Sequence, residues 1–514
     1  MPMRRMPPAP RSWQHSSAAK RMPVVTIWQN GSSREIPFEG TPALRSILQE
    51  TGCHHAQPCG GRGSCGKCAV TATGAISEPT EAERNAGCRL SCQITLLEDA
   101  QIWLPDQHQS RVELSGSLPV RGLAMGNCFG GAVDIGTTTI ALKLYDLRNG
   151  DLLAEKGILN PQRSIAADVM GRIGAAMNGQ LERQRDMVVS AVASMLESAC
   201  MDAGITTKQV DALVVTGNTT MLYLLTGRNP SCLSCAPFQA DCLFGRDDVL
   251  MDIPVYYPPC MNAFVGADIT CAVLDSGMTL EGKTALLCDI GTNGELALWK
   301  DGVLYVTSTA AGPAFEGAGI SCGCGSIPGA IDRVWLEDGE VKIHTVGELC
   351  AAGLCGSGLL DAVAVFLRTE EIDETGYVEA DALHLAENVA LLPADIRAVQ
   401  LAKGAIAAGI RTLMEQAQVT AAEIETLYIA GGFGSHLNVA SAAAIGLIPG
   451  ELEKKVCVLG NAALSGAARL LLDREQISGA EQLAERCVHV NLGGNSRFSQ
   501  YFMEEMLFGE ECGI

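Results

Sequence analysis

The chain of 514 residues is long enough for roughly three domains at about 150 residues each. Its 37 Lys+Arg against 58 Asp+Glu leave a net charge of −21, a balance that repels phosphate backbones and excludes nucleic acid and anionic membrane as partners. With 47% hydrophobic and 18% charged residues the chain affords a packed core, and no run of about 18 residues is apolar without a charge, which argues against a spanning helix.

Residues 1–21 hold five basic residues and no apolar run, so no signal-peptide core opens the chain. They read as a disordered basic tail, or as a start codon placed too early with Met22 the true beginning. Of the 21 cysteines, six fall between Cys53 and Cys92. Dense thiols without a secretory leader point to a reducing cytoplasm and to metal binding in place of cross-links.

From residue 22 to 105 the pattern is that of a small α+β domain. Val24–Trp28 and Glu35–Phe38 read as strands around an Asn30-Gly31 turn. Thr41-Pro42 is expected to open a helix, with Thr41 as N-cap, Leu44, Ile47 and Leu48 as its buried stripe and Gly52 as its stop. Thr80 with Glu83 forms a capping box for a second helix.

Between the helices lies Cys59-Gly-Gly-Arg-Gly-Ser-Cys65-Gly-Lys-Cys68, and the run Gly87-Cys88-Arg89-Leu90-Ser91-Cys92-Gln93 supplies a further cysteine 24 residues after Cys68. Three thiolates on one tight loop and a distant fourth enclose a two-iron rhomb, and the glycines let backbone N–H groups approach its sulfurs. A zinc ribbon would need two C-x2-C knuckles, and one is present. The segment resembles the plant- and adrenodoxin-type [2Fe–2S] ferredoxins, above all at Arg89-Leu-Ser-Cys92-Gln93. That resemblance implies a β-grasp fold, Cys59, Cys65, Cys68 and Cys92 as ligands, and Cys53 and Cys88 as bystanders. Such ligation implies a potential of about −400 mV and one-electron transfer.

Residues 106–128 are polar and pattern-poor and read as a linker. A near-repeat follows. Asp134-Ile-Gly136-Thr137-Thr138 precedes a strand at Ile140–Tyr145, and Asp289-Ile-Gly291-Thr292-Asn293 precedes one at Leu296–Lys300, the two cores 155 residues apart. Each is a hairpin whose tip offers N–H groups and hydroxyls, with a carboxylate before the tip to hold Mg²⁺ or orient water. A third site, Gly431-Gly432-Phe433-Gly434, follows a buried strand and precedes a helix at Val439–Ala444, with His436 beside it. The spacing is neither that of a dinucleotide fold nor that of a P-loop.

This order of motifs resembles the actin, heat-shock ATPase and sugar kinase superfamily. It implies two α/β lobes, at 129–285 and 286–514, closing on ATP·Mg²⁺. Asp134, Gly136, Thr137 and Thr138 would form the first phosphate loop; Asp289, Gly291, Thr292 and Asn293 the second; Gly431, Gly432 and Gly434 the adenosine site. Gly217-Asn218 and Gly460-Asn461 read either as rims of the cleft or as helix caps. Between Asp186 and Met201 the Met and Leu stripes read as core. Cys232-x2-Cys235 lacks a second pair, and Cys322-Gly-Cys324 reads as small residues in a glycine turn before it reads as a second metal site.

Joined, the two halves resemble the reductive activators of corrinoid proteins, as do Asn160-Pro-Gln162, Asp168-Val-Met-Gly-Arg172, Phe264-Val-Gly-Ala-Asp268, Glu316-Gly-Ala-Gly-Ile-Ser and Gly460-Asn-Ala-Ala-Leu464. The resemblance implies ATP-dependent return of a methyltransferase corrinoid from Co(II) to Co(I), with an upstream electron donor and the corrinoid on a separate protein, since no Asp-x-His-x-x-Gly run occurs here. Each 100 mV of uphill transfer costs about 2.3 kcal/mol, which nucleotide-driven closure is expected to supply. Two other readings stand beside it: an electron carrier with a non-hydrolysing docking domain, and a redox-regulated small-molecule kinase. Whether the chain forms a homodimer is left open.

Overall fold

The computed structural model describes residues 21–29, 32–51, 63, 68–105, 129–280, 282–434 and 437–509. The Asn30-Gly31 turn, Gly52, Cys53, Cys59, Cys65, the expected linker and Ser435-His436 lie outside the described residues. The chain divides into two compact units, one ending near residue 107 and one running to the carboxyl end.

The first unit is built from β1 (Val24–Gln29), β2 (Ser32–Pro37), α1 (Leu44–Glu50), β3 (Ala69–Ile76), α2 (Glu81–Ala86), β4 (Arg89–Leu90) and β5 (Leu96–Trp103). Its five-stranded sheet runs β2-β1-β5-β3-β4, with β1 parallel to β5 and the other neighbours antiparallel. Leu44, Ile47 and Leu48 of α1 pack on Val25, Ile27, Leu96 and Ile102 of the sheet. This is the β-grasp arrangement. The helix does not begin at Pro42 as its Thr-Pro signal predicts. Ala43 is the N-cap, because Pro42 accepts from Leu96 N–H and Ala43 bridges Thr95, which draws both into extended backbone.

The second unit opens with β6 (Phe129–Ile135), β7 (Thr139–Asp146), β8 (Asp151–Leu159), α3 (Val169–Ala175), α4 (Leu181–Asp202), β9 (Val210–Gly217), α5 (Thr219–Thr226), α6 (Ser231–Ser234), β10 (Arg246–Leu250), β11 (Ile253–Tyr257) and α7 (Ala267–Ser276). It continues through β12 (Ala285–Ile290), β13 (Gly294–Lys300), β14 (Val303–Thr309), β15 (Ala330–Glu337), β16 (Glu340–Thr345), β17 (Gly353–Leu354) and α8 (Gly356–Arg368). It ends with β18 (Leu383–Ala386), β19 (Val389–Leu391), α9 (Pro393–Ala417), β20 (Thr426–Ala430), α10 (Val439–Ala444), β21 (Val456–Gly460), α11 (Ala462–Leu472), α12 (Gln476–Arg486), β22 (Val488–His489) and α13 (Ser496–Glu505).

Two six-stranded sheets repeat one plan. The first runs β10-β11-β9-β6-β7-β8 and the second β21-β20-β12-β13-β14-β22. In each, three sequential antiparallel strands meet parallel strands that arrive through crossovers. The strands that carry Asp134 and Asp289 are therefore equivalent, and crossover strands end beside them at Gly217 and at Ala430, which Gly431 follows. This is the actin-like fold. Chain order and lobe part company near the end: α11, numbered among the second lobe's residues, packs its Leu464, Ala467 and Leu471 with Ala132, Val214 and Cys271 of the first. In α4, Val188, Val192, Met195 and Leu196 are core, but Met201 in the last turn is 78% exposed. No helix among the described residues is long and apolar enough to cross a membrane.

Candidate functional site

In the first unit, Cys68 and Cys92 bring their sulfurs within 3.2 Å. Two thiolates sharing one tetrahedral metal with bonds near 2.3 Å stand about 3.8 Å apart, so a small relaxation would give an iron room between them. The capping box explains how Cys92 is placed. The Glu83 carboxylate accepts from Thr80 N–H at 2.8 Å, Leu90 N–H at 2.9 Å and the Arg89 guanidinium at 2.9 Å. Burial opposes that charge, yet the three donors outweigh it and hold the carboxyl below its usual range. The box thus fixes α2 and anchors the segment leading to Cys92. The Cys92 thiol is pulled down to about 6, first by the Cys68 thiol donating to it, against burial, and then by the Gln93 amide and Gly63 N–H. Gly63 lies so close to Gln93 and Ala82 that a Cβ there would come within 3.2 Å of each. Donors aimed at a sulfur, with bare backbone against it, fit an iron–sulfur group. Cys59 and Cys65 lie outside the described residues.

In the second unit a cleft of about 160 Å³, partly open to solvent, lies between the two sheets. Of the residues expected at a nucleotide, it is lined by Asp134, Gly136, Thr137, Thr138, Asp289, Gly291, Thr292, Asn293, Gly431 and Gly432. Gly434 is not among them and packs against Ile429. Gly431 has φ +90°, and a Cβ there would stand 2.5 Å from an Asp289 carboxylate oxygen. Its bareness makes room for Asp289.

The first tip is held from behind. The Asn160 amide donates to the Gly136 carbonyl at 2.8 Å, and the buried Arg172 guanidinium donates to the Thr137 carbonyl at 2.5 Å. Because a trans peptide points N–H opposite C=O, turning those carbonyls inward turns the N–H groups of Thr137 and Thr138 toward the cleft. Asn218 and Asn461 settle the choice between cap and rim: each does both. Asn218 caps α5 through its oxygen and donates to Thr137 Oγ1 at 3.0 Å. Asn461 caps α11 through its oxygen and donates to Asp134 at 3.1 Å.

Three acids that the motifs did not single out as site residues complete the cleft: Asp268, Glu295 and Glu316. Glu295 was legible, since hairpin register sets it opposite Asp289. Asp268, at the head of α7, and Glu316, before a glycine turn, needed the tertiary structure. Burial pushes Asp134 up to about 7, with the Asn461 hydrogen bond opposing and the Asp289 charge adding. Burial alone lifts Asp289 to about 6, and burial with the charges of Asp289 and Asp134 lifts Asp268 to about 8. Glu295 is raised by burial, then by Asp268 and Asp289. Protons or a divalent cation must neutralise such a group. The Cys322 turn is tightly built, with Cys324 N–H on the Leu354 carbonyl and Leu354 N–H on that of Cys322.

Sequence comparison agrees with both units. The 2Fe-2S iron–sulfur cluster binding domain matches residues 27–97, the RACo middle region residues 129–281, and the C-terminal domain of RACo, the ASKHA domain, residues 283–512. The corrinoid activation enzyme RamQ of Eubacterium limosum is 34% identical over 424 residues, covering 75% of this chain and 71% of its own. A [Co(II) methylated amine-specific corrinoid protein] reductase of Methanosarcina barkeri is 25% identical over 425 residues, covering 74% and 77%. The solved structure of a reductive activator for corrinoid, iron-sulfur protein superposes with a TM-score of 0.68 at 26% identity, covering 94% of this chain and 98% of that one.

Proposed function

We propose that this chain, an enzyme that belongs to the RACo family of reductive activators of corrinoid proteins, uses ATP to return the Co(II) corrinoid of a separate methyltransferase protein to Co(I). The observation that carries the reading is the pairing of two Asp-Ile-Gly-Thr tips across one acidic cleft, in a chain whose other unit places Cys68 against Cys92.

Cys59, Cys65, Cys68 and Cys92 would hold a [2Fe–2S] group, which supplies one electron at a time. Asp134 and Asp289 would hold Mg²⁺ and orient water. The N–H groups and hydroxyls of Thr137, Thr138, Thr292 and Asn293 would bind phosphate, and Gly431 and Gly432 would lie against the adenosine. Cobalt(I) is the stronger reductant, so the chain must convert nucleotide energy into a conformational change that favours transfer. Closure of the two tips on the phosphates is the motion available, because each tip belongs to a different sheet.

The test is to incubate dithionite-reduced, desalted protein with a Co(II) corrinoid protein and follow the cobalt absorbance with and without ATP·Mg²⁺. Formation of Co(I) only with ATP·Mg²⁺ supports the reading. Equal reduction without nucleotide returns the chain to a plain electron carrier.

A further inference from the structure

Glu316 joins the two tips. One carboxylate oxygen accepts from Thr138 Oγ1 at 2.9 Å and the other from Thr292 Oγ1 at 2.8 Å. Its backbone is fixed: Gly317 follows in the left-handed region with its N–H on the Ala314 carbonyl, and the Phe315 ring stacks on Phe433 at 5.2 Å. The side chain is the part left to move.

Resting on the nucleotide reading, we propose that Glu316 is the residue by which the cleft distinguishes a nucleoside triphosphate from a diphosphate. The argument is one of donors. A threonine hydroxyl has a single proton to give, so Thr138 and Thr292 donate either to Glu316 or to a phosphate. The carboxylate presents two anionic oxygens to these hydroxyls, as a terminal phosphate would. A terminal phosphate reaching both tips must displace it, because two anions cannot share one pair of donors without strong repulsion. A diphosphate that stops short of both hydroxyls leaves the bridge intact. Half-buried Arg163 and fully buried Arg172 both feel the Glu316 charge, so the displaced carboxylate has cations to turn toward. Exchange of the bridging anion thereby makes occupation by triphosphate differ physically from occupation by diphosphate.

The experiment is calorimetric binding of Mg·ADP and of a non-hydrolysable ATP analogue with Mg²⁺ to the full-length wild type, E316Q and E316D. Removing the charge at constant shape is expected to tighten the triphosphate analogue by about tenfold while moving ADP less than about twofold. E316D keeps the charge but is one methylene too short to span both hydroxyls from a fixed backbone, so it should fall between wild type and E316Q for the triphosphate, and an unchanged thermal midpoint of E316Q separates loss of charge from general structural damage. E316Q that weakens the triphosphate, or moves both nucleotides equally, overturns the proposal, as does E316D that binds the triphosphate more weakly than wild type. Wild-type protein that takes up neither nucleotide overturns the nucleotide reading itself, and this inference falls with it.

Discussion

Asn461 reaches back 327 positions along the chain to donate its side-chain amide to Asp134. The oxygen of the same amide accepts Leu464 N–H at 2.8 Å and caps α11. One side chain therefore fastens a helix that packs on the first sheet to the acid at the tip of that sheet. Asn218 repeats the device at Thr137. The two ends of an amide differ in sign, so asparagine serves both tasks where an ionised aspartate, which only accepts, would serve one.

Replacing Asn461 by Ala is expected to remove the cap and cost about 1 kcal/mol of stability. It should also raise the Asp134 carboxyl further, since the lost hydrogen bond is what opposes burial there. Urea unfolding reads the first effect. The second appears as a shift of nucleotide affinity toward higher pH. An unchanged unfolding midpoint would mean that the α11 N–H groups find other acceptors.

Asp289→Asn keeps the shape that fits beneath Gly431 and removes the charge. If the proposed function holds, ATP-driven reduction of the cobalt is expected to fall by about 100-fold or more, as for loss of a metal-orienting carboxylate. The visible spectrum of the iron–sulfur group should remain, because Cys68 and Cys92 belong to the other unit. Activation that survived would remove Asp289 from the chemistry.

Both hairpin tips were legible because Asp-Ile-Gly-Thr is local: a strand, a glycine turn and a strand need no distant partner to be recognised. The capping box at Thr80 was legible for the same reason and is present in full. Glu316 was not, since its meaning lies in two hydroxyls 178 and 24 positions away. The Thr41-Pro42 start failed because pairing to Leu96 and Thr95 outweighed a local cap signal. Gly434 carried the same motif as Gly431 and Gly432, but burial against Ile429 decides its place, which periodicity does not encode.

With Cys92 as a cluster ligand, as proposed above, Gln93 is placed to tune the iron–sulfur potential. Its amide donates toward Cys92 Sγ at 3.6 Å. A donor at a ligand sulfur stabilises the reduced, more negative form, so removing it lowers the potential. Gln93→Leu should move the midpoint to more negative values by some tens of millivolts, measured by redox titration with paramagnetic-resonance detection. A midpoint that stayed put or rose would assign Gln93 to packing against Gly63 alone.

The acids of the cleft make a prediction about pH whose sign follows from the direction of their shifts. Asp134, Asp289 and Asp268 titrate at about 7, 6 and 8 in the folded chain, and Glu295 is also raised. Unfolded, an aspartate titrates near 3.9. Below about pH 4 both states hold these protons and nothing is gained or lost. Between about pH 4 and 8 the native state keeps protons that the unfolded chain has released, so stability falls as pH rises. His489 works the other way, because burial lowers its pKa and folding favours the neutral ring, but it is one group against five, since burial raises Asp361, outside the cleft, as well. Without divalent cation, the thermal midpoint of the second unit should therefore drop from pH 5 to pH 8. On the proposed reading Mg²⁺ is held by the ionised carboxylates, so adding it should flatten the drop and release protons, seen as a buffer-dependent heat of binding. A midpoint that climbs across this range, with no proton release on adding Mg²⁺, would mean that these four carboxyls do not share one low-dielectric cleft.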